Sequence, residues 1–406
     1  MVSGISTLIK VTAGALSYIT EKKLLTNQME ALKPDNNAFL RKSGSETSFA
    51  YLSNTITFNY SSFKDLIILG DSYSTSFLNH DSMVNDVLQI DSNLTDEVKG
   101  IKNWPTHLIK EHPINVYNFA VGGAPVDHDI IDNDKSCYSM TEQYEFFNNQ
   151  MTVGKKYSNW TSDETLMTIW FGINDVFGKT YAPIMQKYSN EVIDEMTAKS
   201  MFNIVNKLYD HGLRNFLFMN VPPMDKFPIF KDYPDIIDYV IKFNNVIQKY
   251  VENFQSSKPD TNVFIYNAFD EVYHIMENKY QYNIIYTDDY SKGKNNNVNP
   301  DLYFWRDDSH LSNYVQSILT KDLDKFLTQQ EKESKDLTGY NLMNRPPLYT
   351  TTTTVILTTT TLSNIPTLIN TKINANTNTN TNTNTNNAMN HQPIIDNSND
   401  NPIKSN

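Results

Sequence analysis

Between about residues 55 and 330, short apolar runs alternate with longer amphipathic ones. The runs 66–70, 114–120, 164–172, 215–221 and 261–268 have the length and apolar density of buried strands. Two of the segments between them repeat at helical spacing. One is 190–211, with Val192, Ile193, Met196, Met201, Ile204, Val205 and Leu208. The other is 235–254, with Ile236, Ile237, Val240, Ile241, Val246, Ile247, Tyr250 and Val251. Strands separated by helices predict an α/β protein whose mainly parallel sheet is covered on both faces. In such folds the chemistry collects at the carboxyl ends of the strands.

The ends of the chain break this pattern. Residues 1–54 carry no pattern that assigns them a role, 55–330 form the α/β unit, and 331–406 form a charged exit followed by a polar tail. That tail holds a Thr-rich run, 351–362, and an alternating Asn-Thr run from Asn376. Polar low-complexity sequence buries too little apolar surface to offset chain entropy, so disorder is expected from about 345 onward.

Composition removes several function classes. Lys plus Arg is 34 against 46 for Asp plus Glu, with no basic stripe, which argues against a nucleic-acid partner. The single cysteine, Cys137, excludes an intramolecular disulfide and a thiol-rich metal site. It reads as a bystander rather than a nucleophile. The first residues are interrupted by Thr, Ser and Lys, so no clean secretion signal stands out. No window reaches the ~18 uninterrupted apolar residues of a membrane span.

The strand ends carry a distinctive set of residues. The run 66–70 leads into Gly70-Asp71-Ser72, and 114–120 into Gly122-Gly123. The run 164–172 leads into Gly172-Ile173-Asn174-Asp175, and 215–221 into a Pro-rich segment ending at Pro228. Late in the folded region, Asp307 stands three positions before His310. A serine hydroxyl attacks only when a base takes its proton, and that base needs an acceptor on its other nitrogen. Ser72, His310 and Asp307 fit those roles, and the spacing of the last two places them on one face of a helical turn. Asp308 is a competing acid that does not face His310 on such a turn. Attack on an ester creates an oxyanion, for which the backbone N–H groups of Ser72 and Gly123 and the side-chain amide of Asn174 are candidate donors. Glycine suits position 123 because a side chain there would obstruct the substrate.

Taken in order, Gly70-Asp71-Ser72, Gly122-Gly123, Gly172-Ile-Asn174-Asp175 and Asp307-x-x-His310 resemble the four blocks of the SGNH, or GDSL, hydrolases, over about residues 60–325. Tyr73 in place of the usual Leu, with the flanking Trp170-Phe171 and Val221-Pro-Pro-Met224 stretches, is similar to the fungal acetylesterase branch. Leu311 departs from the Pro common after the family's histidine. The resemblance implies a flavodoxin-like three-layer α/β/α sandwich and a secreted carbohydrate esterase that removes acetyl groups. It implies Ser72 as nucleophile, His310 as base, Asp307 as its orienting acid, and Ser72, Gly123 and Asn174 as the oxyanion hole. No metal or organic cofactor is implied, the partner is a small or oligosaccharide ester, and a monomer is the default.

Other features read more simply. The acid-rich stretch 127–134, with His128, reads as a polar surface loop because it lacks the Gly and terminal Glu of a calcium site. His107, His112, His211 and His274 read as structural or exposed. Trp170 and Phe171 read as core, and Trp305 as core or pocket wall. Two alternatives to an acetylesterase stay open: a lipase or phospholipase acting on longer acyl chains, and a non-catalytic carbohydrate-binding protein. The segment 73–83 shows no sustained apolar stripe, which favours small acyl groups.

Overall fold

The computed structural model describes residues 41–75, 88–90, 102–131, 137–180, 187–294 and 298–343. Residues 1–40 and the tail expected to be disordered lie outside the described residues, as does the stretch 76–83.

A seven-stranded sheet forms the centre. Its strands are β1 (Phe49–Tyr51), β2 (Asp65–Gly70), β3 (Leu88–Ile90), β4 (Asn115–Asn118), β5 (Thr165–Trp170), β6 (Asn215–Met219) and β7 (Asn262–Tyr266). Their order is β1-β7-β6-β5-β2-β4-β3. The inner five run parallel, and the two edge strands are antiparallel. Strands β2, β5, β6 and β7 are buried at every position, hence their continuous apolar sequence.

Eight helices surround the sheet among the described residues: α1 (Gly44–Thr47), α2 (Trp104–Glu111), α3 (Met140–Met151), α4 (Ile173–Gly178), α5 (Asn190–Asp210), α6 (Ile236–Ser257), α7 (Ala268–Glu277) and α8 (Asn313–Met343). Alternation along the strands shows how both faces are filled. Phe264 and Tyr266 of β7 meet Phe326 of α8. Phe216 and Phe218 of β6 point the other way, against Phe254 of α6 and Phe202 of α5. The result is a three-layer α/β/α sandwich. Capping is local and legible: Ser139 and Glu142 form a capping box on α3, and Ser189 caps α5.

Residues 41–54, assigned no role from sequence, are built into the fold. Strand β1 extends the sheet beside β7. Gly44 N and Ser45 N, in α1, donate to the buried Glu271 carboxyl and the half-buried Asp322 carboxylate. The charged segment read as an exit instead continues α8, and Glu331 and Ser334 bind the backbone N–H groups of Ser61 and Phe58. A second, two-stranded sheet pairs β8 (Tyr286–Tyr290) with β9 (Tyr303–Trp305). Trp305 is fully buried, with its ring against Phe227 and its Nε1 donating to the Thr287 carbonyl, so it is core. Trp170 and Phe171 are core as well.

The stretch 127–131 differs from the polar surface loop its acids suggest. Ile130 and Ile131 are buried with Ile193, Asp127 accepts from Ser200, and the His128 ring meets the Cys137 carbonyl. The two isoleucines draw the backbone inward, and Asp127 and His128 each find a partner there, while Asp129 stays exposed.

Gly172 joins β5 to α4 with φ +121°, and a Cβ there would lie 2.4 Å from Phe243 and 2.5 Å from Val221. Alanine would be strained and overpacked at once. Gly172→Ala should therefore lose roughly 2–4 kcal/mol of stability in urea unfolding. A loss below about 0.5 kcal/mol would contradict this packing.

Candidate active site

The parallel register fixes where the strand ends lie. Gly70 pairs opposite Trp170, so the residues after β2 and after β5 emerge side by side. The segment after β4 joins them, because Val121 N donates to the Gly70 carbonyl. A Cβ at Gly70 would sit 2.9 Å from Ser74 and 3.3 Å from the Trp170 carbonyl, so this glycine is required for room. Residues 71–75 form one turn, closed by Ser74 N and Thr75 N on the Asp71 carbonyl. Asn103 Nδ2 fastens the turn by donating to the carbonyls of Ser72 and Thr75.

Ser72, Gly122, Gly123, Asn174, Ser309 and His310 line a single open cavity of about 300 Å³. All but one of the residues predicted for the site are thus on its wall. The remaining one, Asp307, stands behind His310. Gly123 has φ +81°, and an added Cβ would only touch Cys137 at 3.8 Å. The backbone conformation by itself calls for glycine here.

Asp307 and His310 are arranged differently from the helical turn their spacing suggests. The segment is the tip of a hairpin, with Ser312 N donating to Phe304 O and Arg306 N to His310 O at 2.8 Å. At the tip, Asp307 Oδ1 accepts from Ser309 N at 3.2 Å and His310 N at 3.0 Å, and lies 2.7 Å from His310 Nδ1. Arg306 Nε donates to the other carboxylate oxygen at 3.2 Å. Half-burial works against ionisation of Asp307, but His310 and Arg306 outweigh it and hold the carboxyl well below its usual range. A carboxylate can only accept, so Nδ1 is the donor, and in the neutral imidazole that tautomer leaves Nε2 as the acceptor. Asp308 is excluded from the orienting role: its contacts are Ser309 Oγ and, through its carbonyl, Ile229 N.

Asn174 lies in the first turn of α4. Its Nδ2 donates to the Ala124 carbonyl at 3.0 Å and, at a long 3.4 Å, to Asp71 Oδ2. Asp71 is fully buried, with Oδ1 accepting from Tyr73 N. Burial, with Asp175 nearby, pushes its carboxyl up to about 8 despite that hydrogen bond. Asp175 accepts from Val126 N at 3.0 Å, and its Oδ2 has no partner among the described residues. Burial pushes it up to about 7 against the opposing pull of the Val126 N–H and Lys179. Lys179 is itself buried and paired with Asp194.

Most of the remaining lining is apolar and was not foreseen as such. Met224, Phe227, Ile229 and Phe230 come from two short 3-10 turns after β6, and Ile173 and Phe177 from α4. Phe177 packs edge-on to Phe230 at 5.4 Å. The apolar residues of the Pro-rich segment were the available signal. Of the histidines outside the site, His112 pairs with Asp324, His211 with Tyr144, His274 with the Arg41 carbonyl and His107 with Asn313.

A family model described as GDSL-like lipase/acylhydrolase matches residues 66–323. An acetylesterase from Thermothelomyces thermophilus is 29% identical over 130 residues, 31% of this chain and 41% of that protein. A thermolabile hemolysin from Vibrio parahaemolyticus serotype O3:K6 (strain RIMD 2210633) is 28% identical over 128 residues, 32% of this chain and 26% of that protein. The chain thus spans less than half the length of either relative. Among solved structures, an acetylxylan esterase from Geobacillus stearothermophilus aligns over 65% of this chain and 94% of its own, with 12% identity and a TM-score of 0.37. An alpha/beta hydrolase from the metagenome of Lake Arreo, Spain, aligns over 66% and 98%, with 11% identity and a TM-score of 0.40.

The buried acids predict a pH effect on stability. A folded pKa of about 7 for Asp175, against an ordinary value near ~3.9, means that the folded state binds more protons between those pH values. Its contribution is present in full below about pH 4 and is lost as pH rises through about 7. Asp175→Asn keeps an acceptor for Val126 N and removes the proton. Urea unfolding at pH 5 to 8 should show the variant gaining on the parent, by on the order of a few kcal/mol at pH 8. A parent–variant difference that does not change with pH would contradict this assignment.

Proposed function

Because the chain belongs to the GDSL-like lipase/acylhydrolase family, we propose that it is a serine carboxylic-ester hydrolase working through an acyl-enzyme intermediate. The observation that carries this reading is the convergence of Ser72, Gly123, Asn174 and the His310–Asp307 pair around one cavity. Ser72 Oγ attacks the ester carbonyl, and His310 Nε2 takes its proton and returns it to the leaving alcohol. Asp307 holds the tautomer and stabilises the imidazolium. The backbone N–H groups of Ser72 and Gly123 and the Asn174 amide receive the oxyanion, which replaces the long contact from Asn174 to Asp71. Water, activated by His310 in turn, then releases the acid.

The acyl group we assign first is acetyl, on a carbohydrate alcohol, which the resemblance and the acetylesterase relative favour. An extracellular site of action goes with that reading and rests on the resemblance alone. A second reading, a longer acyl ester, is favoured by one observation: beyond the polar residues named above, the lining is largely apolar and holds no Asp, Glu, Lys or Arg. Each methylene buried there would contribute about 0.8 kcal/mol, or about fourfold in kcat/KM.

Hydrolysis of p-nitrophenyl acetate, butyrate and octanoate tests both. Ser72→Ala and His310→Ala should lower kcat by about three orders of magnitude or more on every ester, and Asn174→Ala by about 10²–10³. Rates falling steeply with chain length support the acetyl reading, whereas a rise of about fourfold per methylene supports the longer one. Full activity in Ser72→Ala would refute the mechanism.

A further inference from the structure

The serine-esterase reading requires Ser72 and His310 to be held in register, yet they stand on two separate segments. The turn 71–75 is fastened to its own surroundings by Asn103 and by Asn118, whose Nδ2 donates to Ser74 O. The hairpin tip 306–310 is partly exposed and is braced from the other side by Ile229 N on Asp308 O. Tyr73, the residue after Ser72, crosses directly between the two: its hydroxyl donates to the carbonyl of Ser309, the residue before His310, at 2.7 Å.

The surroundings of that side chain suit a rigid strut. Tyr73 is 1% exposed. Its ring is edge-on to Trp170 at 5.4 Å, stacked with Phe227 at 6.1 Å and tilted against His310 at 5.6 Å. Its backbone N–H is held by Asp71 Oδ1. The ring is therefore fixed by packing on several sides, and the hydroxyl has one defined acceptor. Burial, with the acidic groups of Asp71 and Asp307 nearby, keeps the phenol protonated and hence a donor.

We propose that Tyr73 is a positioning residue for the reaction, its hydroxyl setting the distance and angle between His310 and Ser72 by holding the Ser309 carbonyl. The inference rests on the serine-esterase reading. It assigns a role to the hydroxyl separate from that of the ring, which fills core space whether or not the hydroxyl is present. Proton transfer from Ser72 to His310 depends on sub-ångström placement, and misplacement by about 1 Å can slow such a step about 10²-fold.

The test is Tyr73→Phe, with steady-state kinetics on p-nitrophenyl butyrate and labelling by a p-nitrophenyl alkylphosphonate. The expected result is kcat reduced about 10- to 100-fold, KM within about twofold, and one label per chain attached at a rate slowed by the same factor as kcat. A merely structural role would instead lower the fraction of chains labelled and leave the rate of the folded remainder unchanged. That result, or an unchanged kcat, would overturn the proposal. Tyr73→Leu removes hydroxyl and ring together, and equal kcat losses in the chains of both variants that still label would show that the hydroxyl is what matters. A fully active Tyr73→Leu would overturn it. The wild-type chain and Ser72→Ala serve as references. Labelling that persists in Ser72→Ala would remove the underlying reading and the inference with it, whereas a dead Ser72→Ala beside a fully active Tyr73→Phe removes only the inference.

Discussion

The structure depends on the parallel pairing of β2 with β4 on one side and β5 on the other. A strand buried on both faces has no polar side to show, so its sequence must be apolar until it leaves the sheet. Whatever chemistry the fold carries is then confined to the residues just beyond the last hydrogen-bonded pair. With Gly70 level with Trp170, three such exits come together at one edge. The serine turn, the glycine pair and the asparagine at the start of α4 are neighbours because of that register, although they are about fifty residues apart in sequence.

Polar groups placed so close to the core have to be satisfied there. Asp71 sits completely buried under the serine turn, where it accepts from Tyr73 N and stands behind the Asn174 amide. Asp175 and the Lys179–Asp194 pair continue this polar seam inward. Such a seam is a poor source of stability, since desolvation opposes ionisation throughout. What it supplies is orientation: an asparagine amide and a turn held by several hydrogen bonds cannot drift. The hairpin tip carrying Asp307 and His310 follows the same principle, with one carboxylate organising two backbone N–H groups, the imidazole and Arg306.

The inner strands and the four motif blocks were legible because each has a local cause. Double burial writes a continuous apolar run, and a strand end writes a small or polar residue after it. The predicted strands at 66–70 and 215–221 and the helix at 190–211 therefore differ from the observed elements only at their ends. What was not legible depends on contacts distant in sequence. Strand β1 is three residues long on a half-covered edge, so it has too little pattern to announce itself. The Asp307–His310 pair sits on a hairpin tip, not on a helical turn, because β9 and Leu311 pair across it. An i, i+3 spacing serves either geometry. The positive φ at Gly123, a second reason for glycine beside the steric one, is set by the folded backbone and leaves no mark in the sequence. The apolar wall from 224–230 and the reach of the Tyr73 hydroxyl to Ser309 needed the folded chain to be seen.

The central claim is that Ser72 forms a covalent bond to the acyl group during turnover. The most direct measurement is mass spectrometry of the chain quenched in acid during turnover of an activated ester, followed by peptide mapping. A Ser72 nucleophile predicts one acyl group per chain, on the peptide containing Ser72, appearing before steady state and absent from His310→Ala. Acyl groups on another residue, or turnover with no labelled intermediate at any quench time, would contradict it.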